Sequence, residues 1–510
     1  MIFFNFVQKS IPMKPFLTII LSVIFGLSLF AQPQEQESIA IKMSLEDVIT
    51  TAKEQSLQAL VTKHNFIVQY WQFRSYKAQF LPALNLSADL GGYNRSLVGI
   101  QNSETGRINY VVNDNLRNSL SLSIDQNIAL TGGKLSIYTS LYRLDQFSPI
   151  DNITYNSQPI NISYLQPLTA FNSLKWQKKI EPKRYEQAKR DYLDGLEEVT
   201  LNAVSYFFDL LISQQQLEVS KKSYQNSKQS LEFAQERFNI GSVTKDQLLE
   251  LQLRILNDEI SIRDKELQVK SSMMRLRNFL GFNERVDIKL EVPQQISDIN
   301  ISFEQVMHNV NNNTSFSLTN EINKLESEQN IAQAKASTGL SAELYAQFGL
   351  TQVGGNLKTA YLSPLDQEII GLKLKIPIVD WGLGQGRVKV AKSKKKVIEL
   401  QIEQQYNSKE EDILLKVMQF NIQGAQCEIS AKADSIGRER YRIINERFAN
   451  GTVQVRDLNT AQSEMDNAIQ RYINDLSNYW RYYYTLRKLS LYDYINDKNI
   501  TADFEALIGE

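Results

Sequence analysis

The chain has 510 residues, 42% of them apolar and 22% charged, with a formal net charge of -1. This length and composition exclude both a single small core and a disordered tail, and near-neutral charge argues against a dedicated nucleic-acid binder. One cysteine, Cys427, and two histidines, His64 and His308, exclude an internal disulfide, a thiolate metal cluster and a histidine-rich catalytic metal site.

Residues 16–30 form an apolar run after Lys14 that is too short to span a membrane comfortably and has the length of a signal-peptide core. The expectation is a leader over 1–31, with Met13 an alternative start and cleavage after Ala31. Loss of Lys9 and Lys14 with it brings the charge to about -3. No later run reaches the ~18 apolar residues of a transmembrane helix, so an exported chain that crosses a membrane must do so with β-strands.

The elements then recur. A first repeat over 32–301 reads helix (44–80), strand (84–94), an extra hairpin (118–145), strand (160–169), long helix (175–238), tight turn at Gly241 and returning helix (243–280). A second repeat over 302–490 reads helix (302–338), strand (342–352), strand (369–379), long helix (385–448), turn at Gly451 and returning helix (453–489). The two long helical hairpins are thus 175–280 and 385–489. Residues 491–510 are left as a C-terminal belt. A shift of 210 brings ERFNIGSVTKDQL (from Glu236) onto ERFANGTVQVRDL (from Glu446) without a gap. Earlier residues align at a shift of 258, so the first repeat carries about 48 additional residues. Such a duplication suggests pseudo-symmetry.

In the strand at 369–379, Ile370, Leu372, Leu374, Ile376 and Ile378 alternate with Gly371, Lys373, Lys375 and Pro377. Aliphatics on one face and charge on the other fit a barrel wall with lipid outside and water inside. Ile160, Ile162, Tyr164, Gln166 and Leu168 repeat the pattern. So does the hairpin, with Leu120, Leu122 and Ile124 before Thr131-Gly132-Gly133 and Leu135, Ile137 and Leu141 after it. A soluble β-sandwich shares this alternation, but export and the long helices favour the membrane. Four to six strands cannot close a barrel of about eight or more, so several chains must share one.

The returning helix 243–280 carries two heptad rows. Leu248, Ile255, Ile262, Val269 and Leu276 form one; Leu253, Ile260, Leu267 and Met274 form the other. They lie about 154° apart, which suits a helix with a neighbour on each side in a curved wall, where a dimeric coiled coil needs one seam. On the long helix, Leu217, Tyr224, Leu231 and Phe238 run beside small Ser220, Ser227 and Ala234. An ordinary helical bundle is the alternative.

With these features the chain resembles the TolC family of outer-membrane efflux proteins. The likeness rests on the duplicated element order, on Arg237-Phe238-x-x-Gly241 and Arg447-Phe448-x-x-Gly451, and on the strands that precede GLGQGR (Gly382–Arg387). It implies an α+β membrane protein: a long coiled-coil α-helical barrel joined to a transmembrane β-barrel shared by three chains. It implies a non-enzymatic, passive exit duct in the outer membrane, reaching into the periplasm, without cofactor, metal or nucleic acid. Its partners would be two further copies, a periplasmic adaptor, an inner-membrane transporter and outer-membrane lipid. The extra hairpin departs from the family's twelve-strand pattern. The turns would be the periplasmic tips, with adaptor contacts at Gly241, Ser242, Val243, Gly451, Thr452 and Val453, and with Ser242 and Thr452 helping to cap the next helix. Asp457 matches a position from which the family closes its tip with acidic rings, while Thr460 stands where a second aspartate is frequent. Asp246 and Glu250 are the nearby acids of the first repeat.

Two other readings remain at this level: a periplasmic or surface coiled-coil scaffold or adhesin without a channel, and an exported hydrolase. The second lacks a visible nucleophile–base pair. GLGQGR has glycines in the manner of a phosphate loop but lacks its lysine–serine pair.

Overall fold

The structure is a computed structural model, which describes residues 39–101, 103, 106–283, 286–293 and 299–509. The expected leader lies outside the described residues. In chain order the elements are β1 (Ile39–Met43), α1 (Leu45–Gln55), α2 (Leu57–Ala78), β2 (Ala83–Gln101), β3 (Ile108–Ile128), β4 (Gly133–Ser148), β5 (Asn152–Pro167), α3 (Ser173–Asn239), α4 (Lys245–Leu280), β6 (Val286–Leu290), α5 (Phe303–Asn313), α6 (Phe316–Ala336), β7 (Ser341–Gly354), β8 (Leu365–Lys375), α7 (Leu383–Ala449), α8 (Val455–Ser490) and α9 (Phe504–Ile508).

Helices α3 and α7 each have 67 residues, about 100 Å of helix. Each packs on its own returning helix, α3 on α4 and α7 on α8, and α3 also packs on α8. This end is therefore a layer ordered α4-α3-α8-α7. Toward the strands, α2 and α6 replace the returning helices, giving α2-α3-α6-α7. Gly195 of α3 allows a close approach of α2: a Cβ there would lie 2.5 Å from the Thr62 methyl. The first helix of each repeat is broken, in one at Ser56 and in the other at Thr314-Ser315. Ser56 ends α1 and its hydroxyl caps α2, accepting from the Ala59 N–H at 3.1 Å.

The main core lies where α1, α3 and α4 meet the β1–β6 pair, around Val199, Phe207, Phe208, Leu211, Leu276 and Ile288. A second joins α7 and α8 through Phe420, Tyr479 and Tyr483. In the run Tyr479-Trp480-Arg481-Tyr482-Tyr483-Tyr484 of α8 the aromatics are core in part, with the Tyr483 hydroxyl donating to Asp493 at 2.7 Å. Burial, followed by that hydrogen bond to a carboxylate, pushes the Tyr483 phenol well up. Within the C-terminal segment, Phe504 packs against Phe66 and Tyr192.

Strands β2, β3, β4, β5, β7 and β8 form one antiparallel sheet in that order. The extra segment supplies β3 and β4, inserted between β2 and β5. Several strand expectations change, and β5 already starts at Asn152 rather than 160. The first strand runs to Gln101 rather than 94, because an irregularity between Asp89 and Gly92 absorbs the glycine pair and pairing with β3 resumes. The hairpin is longer than 118–145 at both ends. The last strand stops at Lys375, so Ile376, Pro377 and Ile378 lie beyond it; Pro377 has no N–H to donate to a ladder.

Candidate functional site

The two faces of the sheet differ in chemistry. One ladder row passes from Leu84 through Ile124, Ile137 and Ile162 to Phe348, partner by partner, and all five side chains are exposed. Leu86, Leu122, Ile370, Leu372 and Leu374 extend this apolar face. On the other face Asp125 accepts from Asn85 at 2.9 Å and Ser136 at 2.5 Å and pairs with Lys134 at 3.1 Å. Asn161 accepts from Gln347 at 3.2 Å on the same face. An apolar outside and a hydrogen-bonded polar inside is how a wall between lipid and water must be built. At the helix end of the sheet, Trp381 is 95% exposed among Ile376, Ile378 and Val379, which suits a membrane–water boundary.

At the opposite end, both helical hairpins close in the same geometry. Gly241 and Gly451 have φ of +78° and +77°. The Ser242 N–H donates to the Arg237 carbonyl at 2.8 Å, and the Thr452 N–H to the Arg447 carbonyl at 2.9 Å. These are left-handed helix ends, where a Cβ would be strained. Ser242 and Thr452 do not cap the following helices, because each stands two residues too early. Thr244 caps α4, accepting from the Gln247 N–H at 3.3 Å, and Gln454 precedes α8. The Thr452 hydroxyl instead donates to the Arg447 carbonyl at 3.0 Å. Val243 and Val453 point into one apolar cluster with Phe448, Val455 and Leu458.

The tips are joined by contacts that the sequence pattern did not disclose. Arg237 stacks on the Phe448 ring at 5.6 Å. Arg254 donates to the Asn459 side-chain oxygen at 2.6 Å, and the Asn459 amide donates to Glu250 at 2.9 Å. Glu250 thus belongs to a bridge between hairpins. Asp457 accepts the Gln454 N–H at 3.2 Å as part of the α8 cap, and Asp246 is exposed in the first turn of α4. Above them lies a buried polar patch. Ser223 donates to Asp466 at 3.1 Å and Ser227 to Asp258 at 2.6 Å. Burial outweighs the Ser223 hydrogen bond and the Arg254 charge, so the Asp466 carboxyl is held above the usual carboxylate range.

Two heptad rows stay open at the edges of the helical layer. On α4, Leu253, Ile260, Leu267 and Met274 are exposed, while Leu248 and Leu276 of the other row are buried. On α7 the open row is Leu415, Ile422, Ile429, Ile436 and Ile443.

The residues outside these regions offer little chemistry. Among the described residues no group of acids, histidines and cysteine could hold a metal ion, and no helix is long and apolar enough to cross a membrane. Burial pushes the Cys427 thiol up to about 11, which makes it a packing residue. GLGQGR is the start of α7. Asp380 accepts there from Gly384 and Gly382 N–H groups at 2.8 and 3.0 Å, so a carboxylate already occupies the position an anion would take. Those bonds hold its carboxyl below the usual range.

Residues 49–282 match the family described as Outer membrane efflux protein. The outer membrane, expected from the resemblance to the TolC family, agrees with that description. Three solved structures share the fold. The Campylobacter jejuni CmeC outer membrane channel is 14% identical, with a TM-score of 0.64 over 91% of this chain and 88% of that one. The Vibrio cholerae outer membrane protein VceC is 12% identical, with 0.61 over 88% and 95%. The open state of the Neisseria gonorrhoeae MtrE outer membrane channel is 12% identical, with 0.56 over 90% and 91%. No curated protein matches the sequence.

Proposed function

We propose that this chain, which carries an outer membrane efflux protein domain on the fold of the TolC-like channels, is one third of a trimeric exit duct. It passively conducts substrates from a periplasmic adaptor and an inner-membrane pump to the exterior. The observation that carries this reading is the pair of unsatisfied surfaces on one chain. The sheet exposes a lipid-like face with two unpaired edges, and the helical layer exposes an apolar row at each edge. A closed ring of copies satisfies the strand edges and the helix rows together, and lipid covers the apolar face. The four-helix layer would contribute four walls of a twelve-helix tube, with the tips at Gly241 and Gly451 meeting the adaptor.

Asp457, Asp246 and Glu250 are the candidate gate, a ring of carboxylates that would attract cations and repel anions. The Glu250–Asn459–Arg254 bridge gives this gate a mechanical part, since it ties hairpin to hairpin inside each chain. The duct is tested by electron-microscope averages of detergent-extracted protein. A threefold tapered tube on the order of 130 Å long, from ~100 Å of helix and ~30 Å of barrel, is expected. Compact monomers released by osmotic shock without detergent would overturn it in favour of a scaffold. Asp457→Ala should raise resting conductance if the carboxylate helps close the tip; unchanged conductance removes it from the gate.

A further inference from the structure

We propose that three six-stranded sheets close edge to edge, β2 of one copy on β8 of the next, into a barrel of eighteen strands. The inference rests on the three-copy duct. It concerns how the 48 additional residues are used, which the duct reading leaves open.

The added strands are interior to the sheet. The apolar row from Leu84 to Phe348 runs through Ile124 of β3 and Ile137 of β4 without a break. On the polar face Asp125 of β3 is held by Asn85 of β2 and by Ser136 and Lys134 of β4. A hairpin thrown out of the wall would break both the row and this network, and would force β2 onto β5. The two edge strands are β2 and β8. Both are exposed along nearly their whole length, whereas inner strands have half-buried residues on the polar face. Strand β2 leaves the helices and β8 returns to them, so β2 against a neighbour's β8 continues the antiparallel alternation.

Width is compatible with this closure. Strands lie about 4.8 Å apart, and in barrels they tilt by about 40°, so six of them span about 38 Å of wall and four only about 25 Å. The four helices of the adjoining layer, at about 8–10 Å each, span about 32–40 Å. A six-stranded sheet is as wide as the helical layer that it continues. Three such sheets give a barrel about 36 Å across between backbones, against about 24 Å for twelve strands, and the tube then meets its membrane section without a step.

Paired cysteines in a Cys427→Ala background test this. Ser87→Cys with Ser121→Cys joins residues paired across β2 and β3 and should oxidise within a chain. Asn85→Cys combined in turn with Gly371→Cys, Lys373→Cys or Lys375→Cys samples the β8 polar face of the next copy. At least one combination should give covalent trimers on a non-reducing gel of outer membranes. Electron-microscope averages should show a barrel about 36 Å wide. Trimers in which Asn85→Cys joins Asn161→Cys of β5, with a barrel of about 24 Å, would overturn the eighteen-strand wall and leave the duct standing. Monomers in detergent would overturn both.

Discussion

Replacing Ile429 by Asp probes the open row of α7 at its most informative point. Ile429 is 67% exposed in the single chain and has Ile422 and Ile436 one heptad away on either side. Full burial of such a side chain contributes about 1.5–3 kcal/mol, so covering two thirds of it contributes about 1–2 kcal/mol per interface. A carboxylate at the same place adds an unpaired polar group to an apolar seam, costing about 1–3 kcal/mol more. The sum is about 2–5 kcal/mol per interface, and a closed trimer contains it three times. Light scattering on size-exclusion chromatography in detergent should show the trimer dissociating at protein concentrations where the parent remains assembled. Ile429→Leu conserves volume and should retain the trimer. If Ile429→Asp keeps the parent's mass and heat-dissociation temperature, this row is not an interface and the ring argument fails.

Three further outcomes follow from other sites. Glu197 is fully buried between Lys53 at 2.9 Å and Arg487 at 2.9 Å, and Arg487 also pairs with Asp493 at 3.0 Å, so Glu197→Ala leaves each cation one partner or some solvent and should destabilise the chain by about 1–3 kcal/mol, read as a drop in melting temperature. The raised Asp466 carboxyl binds its proton more readily in the folded chain than in the unfolded one. Stability at this site is therefore greatest below the ordinary carboxylate range and falls as pH rises through the raised value; Asp466→Asn should flatten the pH profile of melting and stabilise the protein near neutrality. Gly451→Val puts a β-branched residue at φ +77°, a local cost of about 1–2 kcal/mol. Trimers should persist while export of a pump substrate is lost; export at the parental rate would remove the tip from adaptor docking.

The long helices were legible because their ends are written in local chemistry: a glycine at each turn and, between, only isolated breakers such as Pro182 and Gly195 in α3. Expected and observed bounds agree within two residues at 173–239 and 383–449. The inserted hairpin was legible from alternation around Thr131-Gly132-Gly133. The outer end of β2 beyond 94 was not, and only its pairing with β3, as far as Gln101 on Ile108, shows that the strand continues. The breaks at Ser56 and Thr314 were missed because each is a single residue or two inside an otherwise helical run. The contacts between the tips could not be read at all. Arg237 and Phe448, or Arg254 and Asn459, stand more than 200 positions apart, and nothing local marks them as partners. Asp457 shows the reverse case: its place three residues after Gln454 is a helix-start signal that competes with the gate reading.

The duplication left the two tips alike in backbone and unlike in surface. Both end on a left-handed glycine, but one offers exposed Ile240 and a Thr244–Gln247 cap, and the other Asn450 and a Gln454–Asp457 cap. A ring of three chains would then present six hairpin ends in two alternating kinds. An adaptor titrated onto it should fill them in two steps, with two dissociation constants and a half-occupied plateau at three equivalents. The higher-affinity set would decide which hairpin is engaged first when the pump assembles.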